Sequence, residues 1–400
     1  MSAVMIKAKN LLTFKTGKLD SNAAQEGGIY PFFTCSQETY QINSFAFDTE
    51  CVLLAGNNAT GVFPLKYYKG KFNAYQRTYI IEPKNGDSLD IRYLYYYFRP
   101  LLTAFQQQAT GATTKFLTLK ILNNLDVMVP QLESQKKIAA ILSTYDDLIE
   151  NNKRRITILE NMAEEIYREW FVRFRFPGYQ DAEFEKGIPK GWNYEKLEDV
   201  CVVIKRGVSP KYSDEAGRLV INQKCIRDGR IDLSKARRHD SKVPEEKYIQ
   251  YADALINSTG VGTLGRVSIV EFHPMKITID SHVTICRADE KKIAPIYLAT
   301  TVSNLQSYFE FMASGSTGQV ELNRSLIAGI KVLVPKRELM IEFSSEINAI
   351  FEQKQTLQKI NDNLAKTKEE LLPRLISGKL SVENLDIQFP PNMQEEGAAL

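Results

Sequence analysis

Histidine is scarce in this chain: only His239, His273 and His282, at spacings that suit no metal site. No P-loop pattern occurs, and no GxSxG nucleophile elbow. The string Phe389-Pro-Pro-Asn392 does not match the Asn/Asp-Pro-Pro-aromatic motif of amino-methyltransferases. The chain therefore reads as a reader or scaffold, with chemistry supplied elsewhere. Cysteine is sparse as well. Cys35, Cys51, Cys201, Cys225 and Cys286 are scattered, odd in number and free of CxxC spacing. That argues against a disulfide frame or zinc site and fits a reducing cytoplasm. No apolar run is long enough to cross a bilayer, and Met1 to Lys18 lacks the apolar stretch of a signal peptide. The expectation is a cytoplasmic protein without membrane partners.

What is present is ordinary in bulk: 400 residues, 44% hydrophobic and 25% charged, enough for two or three domains. The net charge of +3 becomes informative when divided. Residues 1–131 carry 13 Lys/Arg against 9 Asp/Glu, and residues 172–336 carry 25 against 20. The intervening stretch 132–171 has 6 against 8, and 337–378 has 6 against 7. Mildly basic globules thus alternate with mildly acidic helical stretches. Mild basicity permits nucleic-acid binding without requiring it.

The chain also repeats itself. Gly56, Gly61, Tyr93, Leu94, Phe105, Gly111 and Thr113 recur 204 residues later as Gly260, Gly265, Tyr297, Leu298, Phe309, Gly315 and Thr317. Each copy then passes through a Val-Pro pair, Val129-Pro130 and Val334-Pro335, into a long heptad-patterned segment. Both globular copies read as mixed and β-rich. Strands are expected at Ala46–Leu54 and Tyr75–Glu82, and at Ala252–Asn257, Arg266–Phe272 and Ile277–Arg287. A helix follows in each, Ile91–Gln108 and Ala294–Met312, then a closing strand, Asp126–Val129 and Lys331–Val334.

The copies diverge elsewhere. Gly17 matches Gly207 at an offset of 190, so the second copy holds about fourteen extra residues before its next glycine pair. The inserted region, Lys211 to Lys247, is rich in Arg and Lys. Divergent polar loops on a shared frame fit two binding modules of different specificity, and equally fit drift after duplication. Gly260-Val-Gly262-Thr-Leu-Gly265 fits the GxGxxG dinucleotide pattern. A β-branched run follows it where that site needs a helix, so it reads as a hairpin turn.

From Leu132 to Phe171 the apolar residues follow a heptad. One row is Ile138, Tyr145, Asn152, Leu159 and Ile166; the other is Leu142, Ile149, Ile156, Ala163 and Trp170. Adding 205 to the first row gives Phe343, Ile350, Leu357, Leu364 and Leu371, all apolar. The second row of the later helix is Ile347, Lys354, Asn361, Lys368 and Leu375. Lys354 and Lys368 either fix the register at a seam or snorkel at its edge. A helix of about forty residues spans roughly 60 Å and cannot bury such a seam alone. Two like units packed about a pseudo-twofold axis would pair the helices antiparallel.

At this point a family resemblance emerges. Asp146-Asp-Leu-Ile-Glu-Asn-Asn-Lys-Arg-Arg-Ile-Thr-Ile-Leu-Glu-Asn-Met162, ending in Glu169-Trp-Phe171, resembles the central conserved helix of specificity subunits of Type I restriction–modification systems. Leu371-Leu-Pro-Arg-Leu-Ile-Ser-Gly-Lys-Leu380 is similar to the end of their distal conserved helix. The stretch Gly187–Val200 resembles the start of one of their target recognition domains. Copy one lacks that opening between Met1 and Phe14, so its first strand is expected to be shortened.

The resemblance implies an α+β fold. Two tandem β-rich target recognition domains, 1–131 and 172–336, would each be followed by a long helix, 132–171 and 337–378, before a tail, 379–400. The helices would pair as an antiparallel coiled coil with pseudo-twofold symmetry. The implied function is reading a bipartite site on double-stranded DNA. Two methyltransferase subunits and further restriction subunits would be partners. S-adenosylmethionine and ATP/Mg would sit on those partners, with no cofactor in this chain. A related system with methylation and cleavage fused in one partner remains open, as does a coiled-coil scaffold with two protein-binding heads.

Base readout needs hydrogen-bonding side chains in a groove, with Lys and Arg on phosphates. In copy one the repeated turns offer Asn57, Asn58, Thr60, Thr113, Thr114 and Lys115. In copy two they offer Ser258, Thr259, Thr263, Ser316, Thr317 and Gln319. Lys66, Lys69, Lys71, Lys205, Arg206, Lys211 and Lys224 are the candidate phosphate holders. Asn and Thr beside glycine are also plain turn formers, and both readings stand at this level.

Overall fold

The computed structural model describes residues 3–59, 61–86, 88–111, 114–215, 217–260, 262–314 and 321–393. The chain forms two compact units, residues 1–151 with 360–400, and residues 152–359. Each long helix contributes to both.

The first unit is built on a six-stranded sheet. Its order is Leu12–Thr16, Thr78–Pro83, Phe47–Ala55, Leu65–Ala74, Tyr30–Phe33 and Tyr40–Ile42. Neighbours run antiparallel, except that Phe32 and Phe33 pair parallel with Asn73 and Ala74. The expected strands in the regions 46–54 and 75–82 are present. The ten-residue strand Leu65–Ala74 was not anticipated, because Lys66, Lys69, Gly70 and Lys71 interrupt its apolar pattern. Gly17 must be glycine: a Cβ there would sit 1.8 Å from the Ala74 carbonyl oxygen.

One expectation is corrected here. The first strand is not shortened: Ala3–Lys7, five residues against four in Asn193–Lys196 of the second unit, pairs antiparallel with Asp126–Pro130 along its whole length. A short helix, Ala8–Leu11, leads from it into the sheet. The second unit has the same device, with Asn193–Lys196 on Lys331–Val334 and helix Leu197–Val200. Ala3–Lys7 is largely exposed and lacks alternation, so its pairing left no trace in the sequence pattern.

The second unit repeats this order with a break. Strands Cys201–Arg206, Val283–Ala288, Ala254–Asn257 and Val267–Ile269 form one sheet. Arg237–His239, Arg218–Ile221 and Thr278–Ile279 form another. The expected strand 277–287 is thus two strands. Between Ile269 and Thr278 the chain leaves the sheet, and Val270 and Ile277 bury into a separate core with Ile221, Ile226 and Leu255. Strands Ala254–Asn257 and Val267–Ile269 pair antiparallel across the Gly260–Gly265 segment, as a hairpin requires.

The expected single helices are each interrupted. Ile91–Phe98 begins under the Asp90 carboxylate, which accepts from Tyr93 N at 2.8 Å, a normal N-cap. Pro100 then forces a tight turn before Leu102–Gln108. In the second unit Pro295–Asn304 is followed by Gln306–Ser314, and the Gln306 side chain accepts from Val267 N at 3.0 Å. Tyr93 and Tyr297, both fully buried, donate to Met128 O and Leu333 O, each at 2.8 Å. The repeat is therefore a repeat of packing.

The long helices span Leu132–Tyr167, continued by a π-helical turn Arg168–Val172, and Arg337–Ile376. Every residue of the four heptad rows is buried or half-buried. In the first unit Ile138 and Leu142 share a core with Leu375, Ile376 and Val382 of the following tail. In the second unit Phe171 packs against Tyr297, Phe343 and Trp192, with ring centroids 4.7, 5.0 and 5.9 Å away.

Lys354 and Lys368 do not snorkel. Lys354, 4% exposed, lies 3.2 Å from Glu160 and 2.9 Å from Glu271 within the second unit. Arg230 also binds Glu160, at 2.6 and 2.9 Å. Burial opposes ionisation of Glu160, but Arg230 and Lys354 outweigh it and hold the carboxyl below its ordinary range. At Glu271 burial prevails over Lys354, and the carboxyl is pushed up. In the first unit Lys368 pairs with Asp146, whose other oxygen accepts from Tyr96 Oη at 2.7 Å.

Candidate nucleic-acid interface

In the first unit the repeated turns meet. Asn57 and Asn58 form a short antiparallel bridge with Phe116 and Lys115, and Leu117 N donates to Gly56 O at 2.9 Å. Beside the bridge lies a cleft of about 470 Å³. Asn57, Asn58 and Thr114 line it together with Ser36, Tyr40 and Tyr75. No charged side chain is among its described lining residues. Ser36, Tyr40 and Tyr75 were not anticipated. They come from strand ends and a loop that only the fold brings to the turn. Arg77 was also missed; its guanidinium lies 5.4 Å from the centre of the Phe116 ring, next to the bridge.

The candidate cations of this unit part company. Lys66 and Lys69 lie on opposite faces of one regular strand. Lys66 donates to Glu38 O at 2.7 Å and Thr39 Oγ1 at 3.0 Å, and burial lowers its pKa. It ties down the loop that precedes Tyr40. Lys69 is exposed. Lys71 sits 4.9 Å from the Phe45 ring centre, and Lys115 is half-buried in the bridge. Thr60 and Thr113 lie outside the described residues.

In the second unit the same edge is built differently. By ladder position Ser258 is the counterpart of Gly56: Gly56 N donates to Arg77 O, and Ser258 N to His282 O. The local offset is therefore 202, against 204 for the glycine match. Ser258 is fully buried, with its hydroxyl 2.6 Å from Thr284 Oγ1. That corrects its selection as a surface reader, since a buried, partnered hydroxyl has nothing left for a base. Thr259 bonds His282 Nδ1, and Thr263 Oγ1 donates to Gly260 O at 3.3 Å. Ser316, Thr317 and Gln319 lie outside the described residues.

Gln223 was also missed. Its backbone oxygen accepts from Asn257 Nδ2 at 3.1 Å, and its Oε1 lies under the Gly260 turn, buried without a partner among the described residues. A Cβ on Gly260 would fall 2.0 Å from that oxygen. The basic candidates split again. Lys205 is spent on Glu246 at 2.8 Å, and Arg206 on Glu321 and on Leu322 O. Lys211 and Lys224 are exposed, and beside Lys211 the Arg237 guanidinium stacks 3.5 Å from the Tyr212 ring centre. Among the described residues there is no metal-binding cluster and no helix long and apolar enough to cross a membrane.

Residues 4–161 match the Type I restriction modification DNA specificity domain. The chain is 27% identical over 405 residues to the Type I restriction enzyme EcoDI specificity subunit of Escherichia coli, covering 94% of this chain and 88% of that one. It is 28% identical to the MjaIX specificity subunit of Methanocaldococcus jannaschii, over 76% of this chain and 72% of that one. Its fold resembles the crystal structure of a Type I S subunit from M. genitalium, with TM-score 0.63 and 15% identity over 94% and 96% of the two chains. Over most of its length the chain is thus similar to specificity subunits of Type I restriction–modification systems.

Proposed function

We propose that residues 1–131 and 172–336 are two target recognition domains, each reading one half of a bipartite, asymmetric site on double-stranded DNA. The observation that carries this is a duplicated frame with unlike edges. Tyr93 and Tyr297 make the same buried hydrogen bond, while the turn of one copy opens on an amide- and hydroxyl-lined cleft and that of the other on Gln223 and His282. Asn57, Asn58, Thr114, Lys115, Thr259 and Thr263 remain the base-edge candidates, with Thr60, Thr113, Ser316, Thr317 and Gln319 beside them. Lys69, Lys211 and Lys224 are the phosphate candidates. Lys66, Lys205 and Arg206 serve by holding the reading edges in place.

The helices 132–171 and 337–378 pair antiparallel as a spacer between the half-sites. Their ion pairs support this. From Asp146 to Glu160 the step is fourteen residues forward, and from Lys368 to Lys354 it is fourteen back. Fourteen residues are two heptads, so one antiparallel register satisfies both pairs. The helices also dock two methyltransferase subunits that bind S-adenosylmethionine, while restriction subunits supply ATP/Mg-dependent cleavage in the cytoplasm.

The test is methylome sequencing of a host expressing this chain with its methyltransferase partner. A bipartite motif is expected, and exchange of residues 1–131 with another family member should change one half only. Change in both halves, or no sequence-specific methylation, sinks the proposal. DNA affinity should also fall steeply with salt as phosphate contacts on both heads release counterions.

A further inference from the structure

The loop between strands Tyr30–Phe33 and Tyr40–Ile42 is not part of the repeated turns, yet it forms one wall of the first unit's cleft. Its shape is fixed before any ligand arrives. Ser36 N donates to Thr34 Oγ1 at 3.1 Å, and Glu38 N to Ser36 Oγ at 3.2 Å. Lys66 clamps Glu38 and Thr39 from the sheet, and Cys35 Sγ donates to Arg77 O at 3.4 Å. Because Ser36 Oγ accepts from Glu38, its hydroxyl proton is still available to donate. Tyr40 is 38% exposed at the rim and presents a phenol, both donor and acceptor.

The second unit repeats this meeting of loop and turn independently. Strand Arg218–Ile221 leads into a loop whose first residue, Asn222, accepts from Lys224 N at 2.9 Å. The next, Gln223, lies under the Gly260 turn. Between the flanking strands the two loops are residues 34–39 and 222–236, and they share neither length nor sequence. A position kept by topology and varied in chemistry is where half-site identity can differ at no cost to the frame.

Resting on the DNA-reading function above, we infer that Ser36 and Tyr40 are specificity-determining residues, hydrogen-bonding base edges in the half-site read by the first head. Among the described residues the cleft has no charged lining, so it discriminates bases and contributes little to phosphate affinity.

The test uses the full chain assembled with its methyltransferase partner. Ser36→Ala and Tyr40→Phe each remove one hydroxyl, and methylomes are compared with wild type. The expected result is roughly ten- to hundredfold relaxation of base preference at one or two positions of a single half-site, the other half unchanged. Tyr40→Ala, with a thermal melt matching wild type, repeats the test with a larger deletion. Wild-type motifs from all three variants overturn the assignment while leaving the DNA-reading function intact. Relaxation in both halves also overturns it. A wild-type complex that methylates without sequence preference fails at the earlier step, and the inference falls with it.

Discussion

The two units solve one packing problem with different materials. In the first, Leu65–Ala74 runs unbroken through a six-stranded sheet, and the end of the second long helix seals the core with Leu375, Ile376 and Val382. In the second, the corresponding strand is interrupted after Ile269, a separate small core fills the gap, and an aromatic hub around Phe171 closes the helix end. The lesson is that the frame tolerates repacking if three features stay: the tyrosine bond to the closing strand, the short strand–helix opening, and a glycine pressed against a carbonyl. The same freedom lets the polar edges drift apart, which is what reading two unlike half-sites needs.

The sharpest way to break the comparison is at the helix ends. Phe171→Ala should destabilise the second unit by about 3–5 kcal/mol, and Leu375→Ala the first by about 2–5 kcal/mol. Hydrogen exchange resolved by unit should show each loss confined to its own unit. A spread of either loss to both would mean the units unfold together.

The ion pairs come next. Lys354→Met strands Glu271 in a largely buried site, while Glu160 keeps Arg230, and should cost about 3–5 kcal/mol. Lys368→Met should cost only about 1–2 kcal/mol, because Asp146 is 35% exposed and keeps the Tyr96 hydroxyl. Equal losses in denaturant titration would refute the asymmetry.

Gly17→Ala and Gly207→Ala should cost the same, about 3 kcal/mol. Their Cβ atoms would fall 1.8 and 1.9 Å from the carbonyl oxygens of Ala74 and Ile279. A clear difference between them would show that only one turn is rigid.

The smallest effect is in pH. All three histidines lie in the second unit. Burial, with a smaller contribution from Arg218, holds His239 below its ordinary pKa of 6.5, and its Nε2 is 2.9 Å from Thr278 Oγ1. The folded state favours the neutral ring, so below pH 6.5 the unfolded chain takes up a proton the folded one resists. Second-unit stability should therefore fall as pH drops through that range, and His239→Gln should flatten the slope. An equal slope in the first unit would assign the effect elsewhere.

Residues, taken one at a time, show what was legible. The heptad rows were readable from Ile138 to Leu375 because a 3.5-residue apolar period has one physical solution, burial along a seam. Tyr93 and Tyr297 were readable as equivalents because buried aromatics keep their place. Leu65–Ala74 was hidden by its lysines, and Ala3–Lys7 by its exposure. The Gly56–Gly260 match was slightly misleading: ladder counting aligns Gly56 with Ser258, since a turn residue can slide while hydrogen-bonded strands cannot.

By itself the sequence determined the duplication, the β-rich heads and the long helices, all of which follow from local periodicity and residue chemistry. Only the tertiary structure decided which polar groups face one cleft. Ser36, Tyr40, Asn57 and Thr114 are far apart in the chain, and Ser258 looks like any turn serine until its hydroxyl is found against Thr284. Proximity and burial are properties of strand pairing across long separations, and no local pattern encodes them.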